Sequence, residues 1–101
     1  MVKHIIVWRL KDSAHGHDKA TNARLIRGKL EALRGRIPGM RTIEVGTDFS
    51  GTADSGDLVL YSEFDSREAL ADYQAHPEHL AAKEFISEAR CERRVVDFET
   101  P

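Results

Sequence analysis

The sequence predicts an α+β fold with helices laid over one face of a single sheet. Three observations lead there. Stretches with strand alternation and stretches with helical spacing follow in the order strand, helix, strand, strand, helices, strand. The length, 101 residues, suits one domain, so residues 1–101 are read as a single unit. Several strands carry large apolar side chains on both faces, so both faces of the sheet need cover.

Val2 to Leu10 alternates, with Val2, His4, Ile6, Trp8 and Leu10 on one face and Lys3, Ile5, Val7 and Arg9 on the other. Asp12 to Asp18 is a polar loop punctuated by Gly16. From Asp18 to Gly35 the spacing of Ala23, Ile26, Leu30 and Leu33 predicts a helix, with Ile37 just beyond. Gly28 inside it costs roughly 1 kcal/mol relative to Ala, and a close helix–sheet contact is the expected reason for it. Gly35 is the expected cap, and Pro38 stops any continuation. Met40 to Asp48 is a second strand and Phe49 to Gly56 a turn-rich loop. Asp57 to Phe64 is a third strand, with Leu58, Leu60 and Phe64 on one face and Val59 and Tyr61 on the other.

Asp65 and Glu68 have the spacing of a capping box, and Ser66 is the alternative cap for a helix running to Ala75. His76 precedes a proline and is pushed out of the helical region. Pro77 is suited to open a new helix carrying Leu80, Ala82, Phe85, Ile86 and Ala89. Arg94 to Glu99 alternates as a last strand, with Val96 and Phe98 on one face. This order is the split βαβ arrangement of a ferredoxin-like sandwich. Its uncovered sheet face, taken to carry Ile5, Val7, Val59, Tyr61 and Val95, is more apolar surface than a monomer usually tolerates. A homodimer paired through these faces is therefore expected.

Composition narrows the function. Apolar residues make up 41% and charged residues 32%, ordinary for a globular protein. A net charge of −2 gives no general attraction to nucleic acid or to an anionic membrane. Helix one is locally basic, but the Asp57–Phe64 strand lacks the basic-glycine-aromatic pattern of RNA-binding sheets. The single Cys91 excludes an internal disulfide and fits a reducing compartment, so the cytoplasm is expected. Met1 to His4 runs straight into a strand pattern rather than a secretory leader, and no apolar run is long enough to span a bilayer. There is no glycine-rich phosphate loop and no nucleophile motif, so no cofactor is expected. His15 and His17 could chelate, but no ligand framework supports them; they are read as a solvated loop, with no metal site.

Chemistry concentrates around the proline break. Tyr73, His76 and His79 can all hold or move protons, and the break frees Tyr73 and His79 from the geometry of one straight helix. A neutral His79 could act as general base, while the Tyr73 hydroxyl donates to a developing enolate oxygen. The competing reading is that these histidines only cap a helix start. His4, in phase with Ile6 and Trp8, is either a satisfied core residue or a third polar group of the same pocket. Trp8, Leu58, Leu60 and Phe85 are the expected walls, with His76 nearby.

Val2–Trp8, Lys29–Leu33 through Ile37-Pro38-Gly39, Asp57–Leu60 with Phe64-Asp65-Ser66, Tyr73–His79 and Val95–Phe98 together resemble the stress-responsive dimeric α/β barrel (Dabb) family. The His-Pro-x-His segment after a tyrosine is the most specific part. The resemblance covers nearly the whole chain and implies a ferredoxin-like protomer in a dimeric barrel. Many members have no known activity. One branch, the plant polyketide cyclases resembling olivetolic acid cyclase, closes rings by aldol chemistry with a Tyr and a His that match Tyr73 and His79. That branch's strand-one histidine matches His4, whereas its third-strand histidine is Leu58 here. The expectation is a small apolar or aromatic ligand in a pocket between sheet and helices. Cofactor-free chemistry on a ketone-like substrate, as aldol closure or monooxygenation, is the enzymatic alternative.

Overall fold

The computed structural model describes residues 1–101. The elements are β1 (Val2–Leu10), β2 (Ser13–Ala14), β3 (His17–Asp18), α1 (Lys19–Glu31), β4 (Met40–Thr47), β5 (Leu58–Phe64), α2 (Arg67–Ala75), α3 (Pro77–Ala89) and β6 (Arg90–Glu99). β4, β5, β1 and β6 form one antiparallel sheet in that order. The arrangement is ferredoxin-like, and the three helices cover one face of the sheet. No helix is long and apolar enough to cross a membrane.

Period-two alternation sorts the strands into two faces. Val2, His4, Ile6, Trp8 and Leu10 of β1 are buried beside Leu58, Leu60, Ser62 and Phe64 of β5. Ile26 and Leu30 of α1, Leu70 and Tyr73 of α2, and Ala82, Ile86 and Ala89 of α3 close over them. Each large apolar side chain buried this way stabilises the fold by roughly 1.5–3 kcal/mol relative to leaving it exposed.

Three local expectations need correction. α1 begins where expected, with the Asp18 carboxylate accepting from the Thr21 N–H at 2.8 Å, but it ends at Glu31, and single turns carry the chain to Gly35. Gly28 faces solvent, with nothing near a Cβ placed there, so no close helix–sheet contact accounts for it. The polar loop at 12–18 is a small hairpin, β2 against β3, turned by His15 and Gly16 at φ of 56° and 74°. Both positive angles are what a two-residue type I′ turn requires. Buried Asn22 donates to the Ala14 and His17 carbonyls and holds the hairpin on α1. His15 stacks on Phe85 at 3.9 Å and donates through Nε2 to the Phe85 carbonyl at 2.9 Å, whereas His17 is exposed.

The face away from the helices carries Ile5, Val7, Val59 and Tyr61, all half-buried, together with Val96 at 60% and Phe98 at 42% exposure. Val95 does not belong to it. Ile6 pairs with Val95 and Ile5 with Val96, so Val95 points to the helix side. A one-residue slip exchanges every side chain between faces, and the sequence assignment of β6 was off by that one step.

Candidate functional site

α2 and α3 are separated by one residue. His76 has φ −68° and ψ 134°, the extended geometry that a following proline favours. Its backbone N–H donates to the Tyr73 carbonyl and closes α2. Its Nδ1 accepts from the Glu78 N–H at 3.1 Å and opens α3. His76 is thus the shared cap of two helices. At the other end of α2 the cap is Ser66, which accepts from the Ala69 N–H at 3.1 Å. The Asp65 carboxylate instead receives Arg41 at 2.5 Å.

The break turns Tyr73 and His79 toward one another. Residues six apart on a straight helix point about 120° apart; here the two rings are 4.4 Å between centroids and tilted by 48°. Tyr73 also packs on Phe64 at 5.1 Å and faces the His4 ring at 6.4 Å. Three groups able to carry protons therefore meet under the helices: Tyr73 from α2, His79 from α3 and His4 from β1.

The hydrogen bonds assign their protons. His79 Nδ1 lies 3.1 Å from the Gln74 carbonyl, which can only accept, so Nδ1 holds the proton and Nε2 presents a lone pair. Burial lowers the His79 pKa, the Gln74 hydrogen bond opposes this, and the charges of Lys83, His4 and Arg93 lower it further. A neutral imidazole at pH 7 results. Tyr73 is 1% exposed, and burial alone pushes its hydroxyl up to about 12. That hydroxyl makes no hydrogen bond within the protein and, unlike Asn22 Oδ1 and Glu78 Oε2, is not sealed from solvent. His4 Nδ1 makes a short contact with the Asp97 carboxylate across the β1–β6 pair. An ionised carboxylate accepts, so His4 too carries its proton on Nδ1 and turns Nε2 away from Asp97.

These groups border a cavity of about 310 Å³ between sheet and helices. Tyr73, His79, His4, Trp8 and Leu60 line it. Leu58, His76 and Phe85, also expected there, do not. Leu58 is sealed in the core at the far end of β5, His76 is occupied as a cap, and Phe85 lies on another side of α3 against His15. The sequence reading missed Asp97 and the lining side chains Gln74, Lys83, Arg90 and Arg93. Asp97 was hidden by the inverted assignment of β6, and Arg93 by starting that strand at Arg94 when it begins at Arg90; with Val95 and Val96 both apolar, no local signal separated the two faces.

Solved structures share this architecture. A dimeric protein of unknown function and ferredoxin-like fold from Bacteroides fragilis is 34% identical, with a TM-score of 0.86 over 98% of this chain and 95% of its own. A dimeric ferredoxin-like protein of unknown function from Thermobifida fusca is 24% identical, with a TM-score of 0.85 over 98% and 90%. A Nitrosomonas europaea protein, provisionally named an antibiotic biosynthesis monooxygenase, is 19% identical, with a TM-score of 0.77 over 99% and 98%, and shares the fold alone. No functionally curated protein shows significant similarity to the chain. The profile of the Stress Responsive A/B Barrel Domain, Dabb, matches residues 2–100. With the fold, the His76-Pro77 break and this match in agreement, the chain belongs to the Dabb family.

Proposed function

We propose that the protein is a homodimer that binds a small, largely apolar molecule in the cavity between sheet and helices. The observation that carries the binding reading is the Tyr73 hydroxyl. It borders the cavity and donates to no protein group, so a ligand oxygen there can accept its hydrogen bond in place of water. Trp8 is the only tryptophan and lines the same space, so its fluorescence reports occupancy. Titration with β-diketone and quinone-like compounds is expected to give a saturable Trp8 response that weakens in Tyr73→Phe. Saturable binding with no Trp8 response and no effect of Tyr73→Phe would place the ligand elsewhere and refute the reading.

The dimer is supported by the apolar outer sheet face and by relatives whose descriptions call them dimeric. Sedimentation is expected to give a dimer at micromolar concentration. Val7→Asp should dissociate it, because the new charge would be buried unpaired. A wild-type monomer would refute this part.

A catalytic reading is favoured by one further observation, the free lone pair of His79 beside the free proton of Tyr73. His79 Nε2 can take a proton from the carbon next to a ketone, and the electron pair passes to the carbonyl oxygen. Tyr73 donates a hydrogen bond to that enolate oxygen. The enolate carbon then bonds to a second carbonyl of the same molecule, and the His79 imidazolium returns its proton to the alkoxide formed. No cofactor enters this sequence. Ring closure of a β-polyketide analogue that persists in His79→Ala would exclude His79 as the base.

A further inference from the structure

The cavity has an apolar interior and a cationic mouth. Ile6, Trp8, Leu30, Leu60 and Ile86 form the interior, while Lys83, Arg90 and Arg93 stand among the lining groups. No aspartate or glutamate lines the space. The excess is local, because the chain as a whole carries −2. It is also uncompensated. Lys83, Arg90 and Arg93 pair with no carboxylate, as is also true of Lys3, Arg9, Lys11, Arg24, Lys29 and Arg94, but only these three gather around one cavity.

Helix packing explains part of this arrangement. Arg90 caps the C-terminus of α3, where the helix dipole favours a cation. Lys83 lies mid-helix and Arg93 on β6, and neither has such a reason. Lys83 and Arg93 are both close enough to His79 to disfavour its imidazolium, although burial is the larger cause. Three like charges gathered at one opening repel one another, and an anion seated among them relieves that repulsion. Inside the opening, the Tyr73 hydroxyl borders the cavity and donates to no protein acceptor.

We propose that the natural ligand is an organic acid whose apolar body fills the cavity and whose carboxylate is held at the mouth by Lys83, Arg90 and Arg93. The proposal deepens the ligand-pocket reading and rests on it. The carboxylate anchors one end of the molecule, so a carbonyl farther along the chain is presented to Tyr73 and His79. Discrimination is by charge at the mouth and by apolar fit within.

The test compares ligands that differ in charge alone. Octanoate with octanamide, and 4-cyclohexylbutyrate with its amide, are titrated against Trp8 fluorescence in the full-length protein. Each acid is expected to bind about tenfold more tightly than its amide at low ionic strength, and the difference should collapse in roughly 1 M salt. Lys83→Gln combined with Arg93→Gln should remove most of the acid's advantage while moving the amide's Kd less than about twofold. Both side chains are exposed, so the variant is expected to fold, and circular dichroism checks that it does. Equal binding of acid and amide overturns the carboxylate proposal and leaves the pocket reading standing. A Trp8 response to none of the four compounds overturns both.

Discussion

Tyr73→Phe separates a residue kept for the fold from one kept for a ligand. The ring is 1% exposed and packs on Phe64 and His79, and phenylalanine preserves those contacts. The change removes only the hydroxyl, which has no protein partner. A buried hydroxyl that is bonded is worth about 1 kcal/mol, and its loss would appear as a lower urea midpoint. The Tyr73 hydroxyl faces the cavity, where solvent can accept from it, so that loss does not arise. Tyr73→Phe is therefore expected to be near neutral, within about 0.5 kcal/mol, at unchanged m-value. Tyr73→Ala empties the core and is expected to cost about 3–5 kcal/mol, which shows that the assay detects the position. If the catalytic reading holds, Tyr73→Phe lowers turnover by about 10²–10³, the usual effect of removing a donor to a developing oxyanion. Urea unfolding followed by Trp8 fluorescence gives the stability half, and product formation gives the other. A loss of 1 kcal/mol or more in Tyr73→Phe would refute the reasoning, because the hydroxyl would then be holding the structure together.

Two further outcomes follow from protonation and one from capping. The His79 pKa is depressed from 6.5, so the unfolded chain binds more protons in the window just below that value. Stability should fall as pH drops through about 6.5, and His79→Gln should flatten that limb of a urea-midpoint series. Base-dependent turnover should lose its acid limb below 6.5 and show no loss near pH 10, where an ordinary tyrosine ionises, because Tyr73 is pushed up to about 12. A pH–rate profile checks both limbs. His76→Ala should cost about 0.5–2 kcal/mol by removing the cap on the Glu78 N–H, measured by chemical denaturation. It should not move the pH profile.

Most of the architecture was legible because alternation and helical spacing are strong signals over β1, β5 and α1. Tyr73 and His79 were legible as a pair because proline chemistry dictates the break between them. The limits were in register and rotation. Val95 and Val96 are both apolar, so nothing local says which faces the helices; the backbone pairing of Ile6 with Val95 decides it, and Asp97 and Arg93 follow. Phe85 has the composition of a pocket wall but lies about 120° around α3 from His79. Leu58 shares the inner face with Leu60 yet sits one pleat too far from His4, beside Trp8. Ser66 was readable as a cap, but that Asp65 would yield its role to Arg41 depended on β4, which local sequence does not place.

The shared cap at His76 has a mechanical consequence. Tyr73 and His79 ride on separate rigid rods, α2 and α3, joined at a single pivot. Their spacing is then set by the angle of that pivot rather than by either side chain's own rotamer. Small rotations at ψ of residue 76 would open or close the gap between the two rings while leaving both helices intact. Selection on such a joint could retune the distance between the Tyr73 and His79 rings, and with it the width of the cavity there, through residues that do not line it.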